Sequence, residues 1–148
     1  MNLITLLTGS TSGGTEYIGD YLANLLTRNG HDVNITNMGE LSDILYAKRL
    51  LLVTSTHGAG DYPESIAPLM DKLEYQSPDL SHLHFAVIAI GDSSYDTFCG
   101  AGKRADKLLE KLGGQRDIKH LEIDVLAYEL PEELAEVWLS RWEKTFNK

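Results

Sequence analysis

The sequence predicts an α/β protein in which helices cover both faces of a parallel sheet. Strand-like and helix-like segments alternate five times along the 148 residues, the pattern of parallel strands joined by crossover helices. The two most apolar runs, Leu50-Leu51-Leu52-Val53 and Phe85-Ala86-Val87-Ile88-Ala89-Ile90, lack polar alternation, as strands buried on both faces should. Three strands run into loops rich in Gly, Ser, Thr and Asp. In a parallel sheet those carboxyl ends share one edge, where ligands bind at a topological switch point.

The elements follow in order. Leu3 to Thr8 is a short apolar run closed by Gly and Ser, a buried strand. Thr15 to Asn29 carries Ile18, Leu22, Leu25 and Leu26 at helical spacing, and Gly30 stands where a helix C-cap is expected. Val33 and Ile35 alternate with polar residues, as on an edge strand, and Leu41 to Ala47 reads as a short helix. Leu50 to Val53 is the central strand, followed by a helix marked by Ile66, Leu69, Met70 and Leu73. Phe85 to Ile90 is the next strand, and Lys103 to Leu112 a helix closed by Gly113-Gly114. Leu121 and Ile123 mark the last strand, and Pro131 opens a last helix through Trp138 and Trp142.

Composition narrows the function. At 43% hydrophobic, the chain can build one core, which excludes disorder and fits one domain over 1–148. Acids outnumber bases 22 to 13, a net charge of −9, which disfavours nucleic acid and anionic membrane as partners. A single cysteine, Cys99, forms no internal disulfide and fits a reducing cytoplasm. The first residues lack a basic leader pattern, so no signal peptide is expected, and no apolar run reaches membrane-spanning length.

The first loop, Thr8-Gly9-Ser10-Thr11-Ser12-Gly13-Gly14-Thr15-Glu16, joins hydroxyls and glycines to a helix start. Backbone N–H groups, hydroxyls and the helix dipole together suit an anion. A Walker A loop is excluded because no Lys lies between Met1 and Ala47. The spacing of Gly9 and Gly13-Gly14 also departs from a dinucleotide fingerprint. Neutral donors suit a monophosphate. The second loop, Ser55 to Pro63, places Gly58 and Gly60 around Ala59, allowing close approach to a flat ligand or a backbone flip. The third, Gly91 to Gly100, carries Tyr95, an aromatic that can stack on such a ligand. Cys99 lacks a neighbouring base for nucleophilic chemistry, and His82 and His84 lack partners for a metal.

Together the Gly-Ser-x-Ser/Thr-Gly-x-Thr, Ser-Thr-x-Gly-x-Gly and Gly-Asp-x-x-Tyr-x-x-Phe-Cys segments resemble the flavodoxin family. The similarity is strongest to its short, stand-alone MioC-type members. The last two loops also resemble the FMN domains of sulfite reductase and cytochrome P450 reductase. The resemblance implies a flavodoxin-like three-layer sandwich, with a five-stranded parallel sheet in order 2-1-3-4-5 and FMN at the switch point. It implies that Ser10, Thr11, Ser12, Gly13, Gly14 and Thr15 wrap the phosphate. Ser55, Thr56, His57 and Gly58 would border the isoalloxazine, with His57 on one ring face. Tyr95 would stack on the other face, flanked by Gly91, Asp92, Phe98 and Cys99. Asp124 matches a strand-end acid near the flavin of diflavin reductases. Relatives often carry an aromatic where His57 stands, so that face should stack less strongly.

The implied function is electron transfer by FMN. A separate NADPH-linked flavodoxin/ferredoxin reductase would act upstream, and an acceptor such as biotin synthase downstream. The alternative is a small FMN-dependent quinone or NAD(P)H oxidoreductase with its own substrate. A signalling receiver of the same fold would need an acid pair after the first strand and an Asp ending the third. Thr8-Gly9-Ser10 and Ser55-Thr56 stand there instead.

Overall fold

The computed structural model describes residues 2–10 and 14–146. Its elements are β1 (Leu3–Gly9), α1 (Gly14–Arg28), β2 (Asp32–Thr36), α2 (Leu41–Leu45), β3 (Arg49–Thr54), α3 (Ala67–Gln76), β4 (His84–Gly91), α4 (Gly100–Lys111), β5 (Gln115–Arg116), β6 (Leu121–Asp124) and α5 (Pro131–Glu143). The sheet runs β2-β1-β3-β4-β5, with β6 also paired to β4. Every pairing is parallel. The fold is therefore the flavodoxin-like order expected, with one addition.

That addition divides the fifth sheet position into two pieces. β5 pairs with the start of β4, at His84 and Phe85, and β6 with its end, from Ile88 to Gly91. The two-residue piece Gln115-Arg116 has no apolar periodicity to announce it. It is fixed instead by Gln115 N–H donating to Leu83 O (2.8 Å) and Asp117 N–H donating to Phe85 O (2.9 Å). Arg116 adds a two-pronged bond from Nε to the buried Asp106 carboxylate, at 3.0 and 3.1 Å.

The apolar runs divide between two cores by the two-residue period of a strand. Leu50, Leu52, Phe85 and Val87 face a core completed by Ile44 of α2, Leu69 and Leu73 of α3, and Ala105 and Leu109 of α4. Leu51, Val53, Ala86 and Ile88 face the other, completed by Ile18, Leu22 and Leu26 of α1 and Trp138, Leu139 and Trp142 of α5. The layers are thus α1 and α5, the sheet, then α2, α3 and α4. α4 begins at Gly100, three residues before the helix expected from Lys103. Its close seat on the sheet depends on Gly102, where a Cβ would lie 2.3 Å from the Cβ of Ala89.

At the amino ends of the strands, a buried carboxylate gathers three elements. Asp117 accepts from Trp142 Nε1 (3.0 Å) and His84 Nδ1 (2.9 Å), and also from the Arg49 guanidinium. Arg49 lies 4.2 Å over the ring of Phe146, which meets Trp142 edge-on at 4.8 Å. This clasp holds the end of α5 at the pole opposite the glycine-rich loops. No helix among the described residues is long and apolar enough to cross a membrane.

Candidate functional site

Three loops meet at the carboxyl edge of the sheet, where β1, β3 and β4 end side by side. Ser55 ties the first two together: its N–H donates to Gly9 O at 3.0 Å and its hydroxyl to the same oxygen at 3.3 Å. Ser10 is buried, and its N–H donates to Ser65 Oγ at 2.9 Å. Gly14 and the buried Thr15 open α1. Thr11, Ser12 and Gly13, the middle of the expected phosphate loop, lie outside the described residues.

A cavity of about 280 Å³ lies at the start of α1, lined by Gly14, Thr15, Ile18, Ser55, Ile90, Val125 and Pro131. A cleft of about 190 Å³ lies between the other two loops, lined by Thr56, Gly58, Asp92, Tyr95, Thr97, Phe98 and Cys99. Consecutive residues of the β3 end, Ser55 and Thr56, wall one space each, as do Ile90 and Asp92 on either side of Gly91 at the end of β4. The two spaces therefore lie along the same strand ends.

The second loop is a tight hairpin. His57 and Asp61 exchange two backbone hydrogen bonds of 2.8 Å, which leaves Gly58-Ala59-Gly60 as the turn. Gly58 (φ +51°) and Gly60 (φ +92°) occupy the left-handed region that glycine adopts without strain. His57 is exposed. The following Tyr62 is buried under the Arg104 guanidinium, 4.7 Å from its ring, and burial pushes its phenol up to about 12.

The third loop is self-braced. Asp92 accepts from Ser94 N–H (2.8 Å) and Ser94 Oγ (2.6 Å), closing the turn that presents Tyr95, which is 63% exposed. Asp124 accepts from Ser93 N–H (3.1 Å) and Leu126 N–H (3.0 Å). Hydrogen bonds from Ser93, and then from Leu126, hold its carboxyl below the usual aspartate range. This strand-end acid braces the loop. Cys99 is fully buried, with its thiol 3.2 Å from Ala89 O, and burial pushes the thiol up to about 12. It offers the cleft an apolar floor and backbone, with no thiolate. Gly91 packs directly behind it, where a Cβ would lie 2.6 Å from Cys99 N.

Sequence reasoning omitted Thr97, an unassigned position inside the third loop, and also Ser65, Val125 and Pro131, which motif spacing does not reveal because they lie outside the three loop motifs. It also omitted Lys103, one helical turn beyond the third loop, whose Nζ lies 5.5 Å from the Phe98 ring centre and 3.8 Å from Glu122.

The sequence model of the Flavodoxin family matches residues 6–138. The chain belongs to the flavodoxin family. It is 40% identical to Protein MioC of Escherichia coli over 139 residues, 94% of this chain and 95% of that one. It is also 39% identical to the sulfite reductase [NADPH] flavoprotein alpha-component of a Shewanella species over 125 residues, 82% of this chain but 21% of that one. Among solved structures it is similar to a flavodoxin from Pseudomonas aeruginosa, with a TM-score of 0.90, 30% identity and 99% of each chain covered. It is an FMN-binding electron-transfer flavoprotein that works with redox partners. The site suits that cofactor: a cleft with an aromatic wall adjoins a space at a helix start to which Thr15 and Ser55 contribute hydroxyls, and among the described residues no cationic side chain lines either.

Proposed function

We propose that this chain is a single-domain cytoplasmic carrier that takes electrons from a separate NADPH-linked flavodoxin/ferredoxin reductase. It delivers them to an acceptor enzyme of the biotin synthase kind. The observation that carries this reading is the run of two spaces along one sheet edge, the outer one walled by the exposed Tyr95. Bound FMN supplies one- and two-electron redox chemistry. Ser10, Thr11, Ser12, Gly13, Gly14 and Thr15 hold its phosphate with neutral donors at the start of α1. Ser55, Thr56, His57 and Gly58 border the ring system, with His57 on one face. Tyr95 stacks on the other, with Gly91, Asp92, Phe98 and Cys99 around it. The Gly58 carbonyl is free to turn toward the ring and accept a hydrogen bond, at a position where a larger residue would resist the change.

The surrounding charge sets partner choice. Asp61, Glu64, Asp92 and Asp96 lie in the two ring loops, whose residues 55–65 and 91–100 contain no Lys or Arg. Their field disfavours added negative charge at the ring, making the carrier a stronger reductant, and attracts a basic reductase surface. Rim charges of this kind act on association rate and are screened over ~8 Å at physiological salt. Electron transfer from a basic flavodoxin reductase should therefore slow as ionic strength rises. The pair Asp61→Lys and Asp96→Lys should slow it further and flatten the salt dependence, with FMN content unchanged. Stopped-flow reduction rates across a salt series decide the matter. Rates indifferent to both changes would move the docking face to the acidic surface of α5.

A further inference from the structure

We propose that Thr56 is a positioning residue that sets the ring-holding loop Gly91–Gly100, acting through that loop and not by a hydrogen bond to the ring. The proposal rests on the FMN reading above. Although Thr56 borders the cleft, its hydroxyl is committed elsewhere. It donates to Ile90 O at 3.2 Å and accepts from Ala101 N–H at 3.3 Å. Ile90 immediately precedes the loop and Ala101 immediately follows it, so one hydroxyl from the neighbouring loop ties both of its ends. A hydroxyl has a single hydrogen to donate. Here it is spent on Ile90, leaving none for a ring acceptor.

The start of α4 needs this partner. Its N-cap, Cys99, stands in the left-handed region (φ 55°) and makes no side-chain cap bond. The first N–H groups of a helix lack partners within the helix, and Thr56 supplies an acceptor to one of them from another loop. A backbone contact reinforces the link. A Cβ at Gly100 would lie 3.0 Å from Gly60 Cα, and one at Gly60 would lie 3.2 Å from Thr97 Cβ. The hairpin that carries His57 and Gly58 and the loop that carries Tyr95 are therefore joined at Thr56 and at Gly60. A shift in one loop is felt by the other.

The test is a double-mutant cycle read by FMN affinity, with amide exchange measured on FMN-free protein. Thr56→Val keeps the shape and removes both hydrogen bonds, while Thr56→Ser keeps the hydroxyl. Thr56→Val should weaken FMN binding about tenfold, as expected for leaving a buried N–H unpaired. In a Tyr95→Ala background the same change should cost less than about twofold, because the two residues act through one loop. Exchange at the Ala101 amide should quicken about tenfold in Thr56→Val and stay near wild type in Thr56→Ser. Additive penalties, or unchanged exchange at Ala101, would overturn the proposal. If Thr56→Val fails to fold, Gly100→Ala takes its place in the cycle, with the same subadditivity expected and additivity again contradicting. If the wild type binds no FMN, the functional reading fails, and the exchange comparison still decides the role of Thr56.

Discussion

Trp142→Ala should destabilise the FMN-free protein by about 3–5 kcal/mol, the range for emptying a large aromatic site in a core. Trp142 has no exposed surface, stacks 6.0 Å from Trp138 and donates to the largely covered carboxylate of Asp117. Its loss opens a cavity in the α1–α5 core and removes one of the three hydrogen-bond donors to the Asp117 carboxylate. Against a typical total of about 5–15 kcal/mol, that is a large fraction. The melting temperature should fall by roughly 6–20 °C at about 2–4 °C per kcal/mol. Trp142→Phe should fall between the two, since it keeps a ring and loses the N–H. FMN affinity of the folded fraction should hardly change, because the clasp lies at the opposite pole from the ligand edge. Urea unfolding and FMN titration of the same samples check both halves. A loss below about 1 kcal/mol would contradict the assigned packing.

Gly102→Val should damage stability and ligand binding together. The first atom of any side chain at Gly102 would lie 2.3 Å from the Cβ of Ala89 and 2.8 Å from its Cα. Both are too close for carbon contacts, so α4 must lift from β4. Overpacking of this kind costs about 1–3 kcal/mol. The displaced helix start carries Gly100 and Ala101, where the Tyr95 loop ends. FMN affinity should therefore drop by about tenfold or more, each 1.4 kcal/mol being worth a factor of ten. Gly102→Ala combined with Ala89→Gly moves the methyl across the interface and should recover most of both losses. Wild-type affinity in Gly102→Val would show that the seat of α4 does not govern the loop.

Sheet and layers were legible because each rests on a local pattern. Leu50 to Val53 and Phe85 to Ile90 are apolar at every position, and only a strand covered on both faces tolerates that. Glycine and hydroxyl residues mark the three strand ends, and in the second loop Gly58 and Gly60 occupy the left-handed region. What stayed hidden depends on contacts between distant segments. The pairing of Gln115-Arg116 has no pattern of its own and is imposed by β4 and Asp106. Ser65 reaches Ser10 across 55 positions of chain. Thr56 was expected beside the ligand and lines the cleft, but its role as the acceptor for the start of α4 is seen only when the loops are placed together. Lys103 was hidden for a related reason, since one helical turn carries it back over Phe98.

The most direct test of the account is titration of FMN-free protein with FMN and, separately, with riboflavin, followed by flavin fluorescence. If the loop between β1 and α1 holds the phosphate, FMN should bind one per chain and at least about a hundredfold more tightly than riboflavin. Hydrogen bonds to a charged group are worth about 1.5–3 kcal/mol each, and that loop offers several donors. Equal affinities for the two flavins would contradict the phosphate assignment and the orientation of the cofactor built upon it.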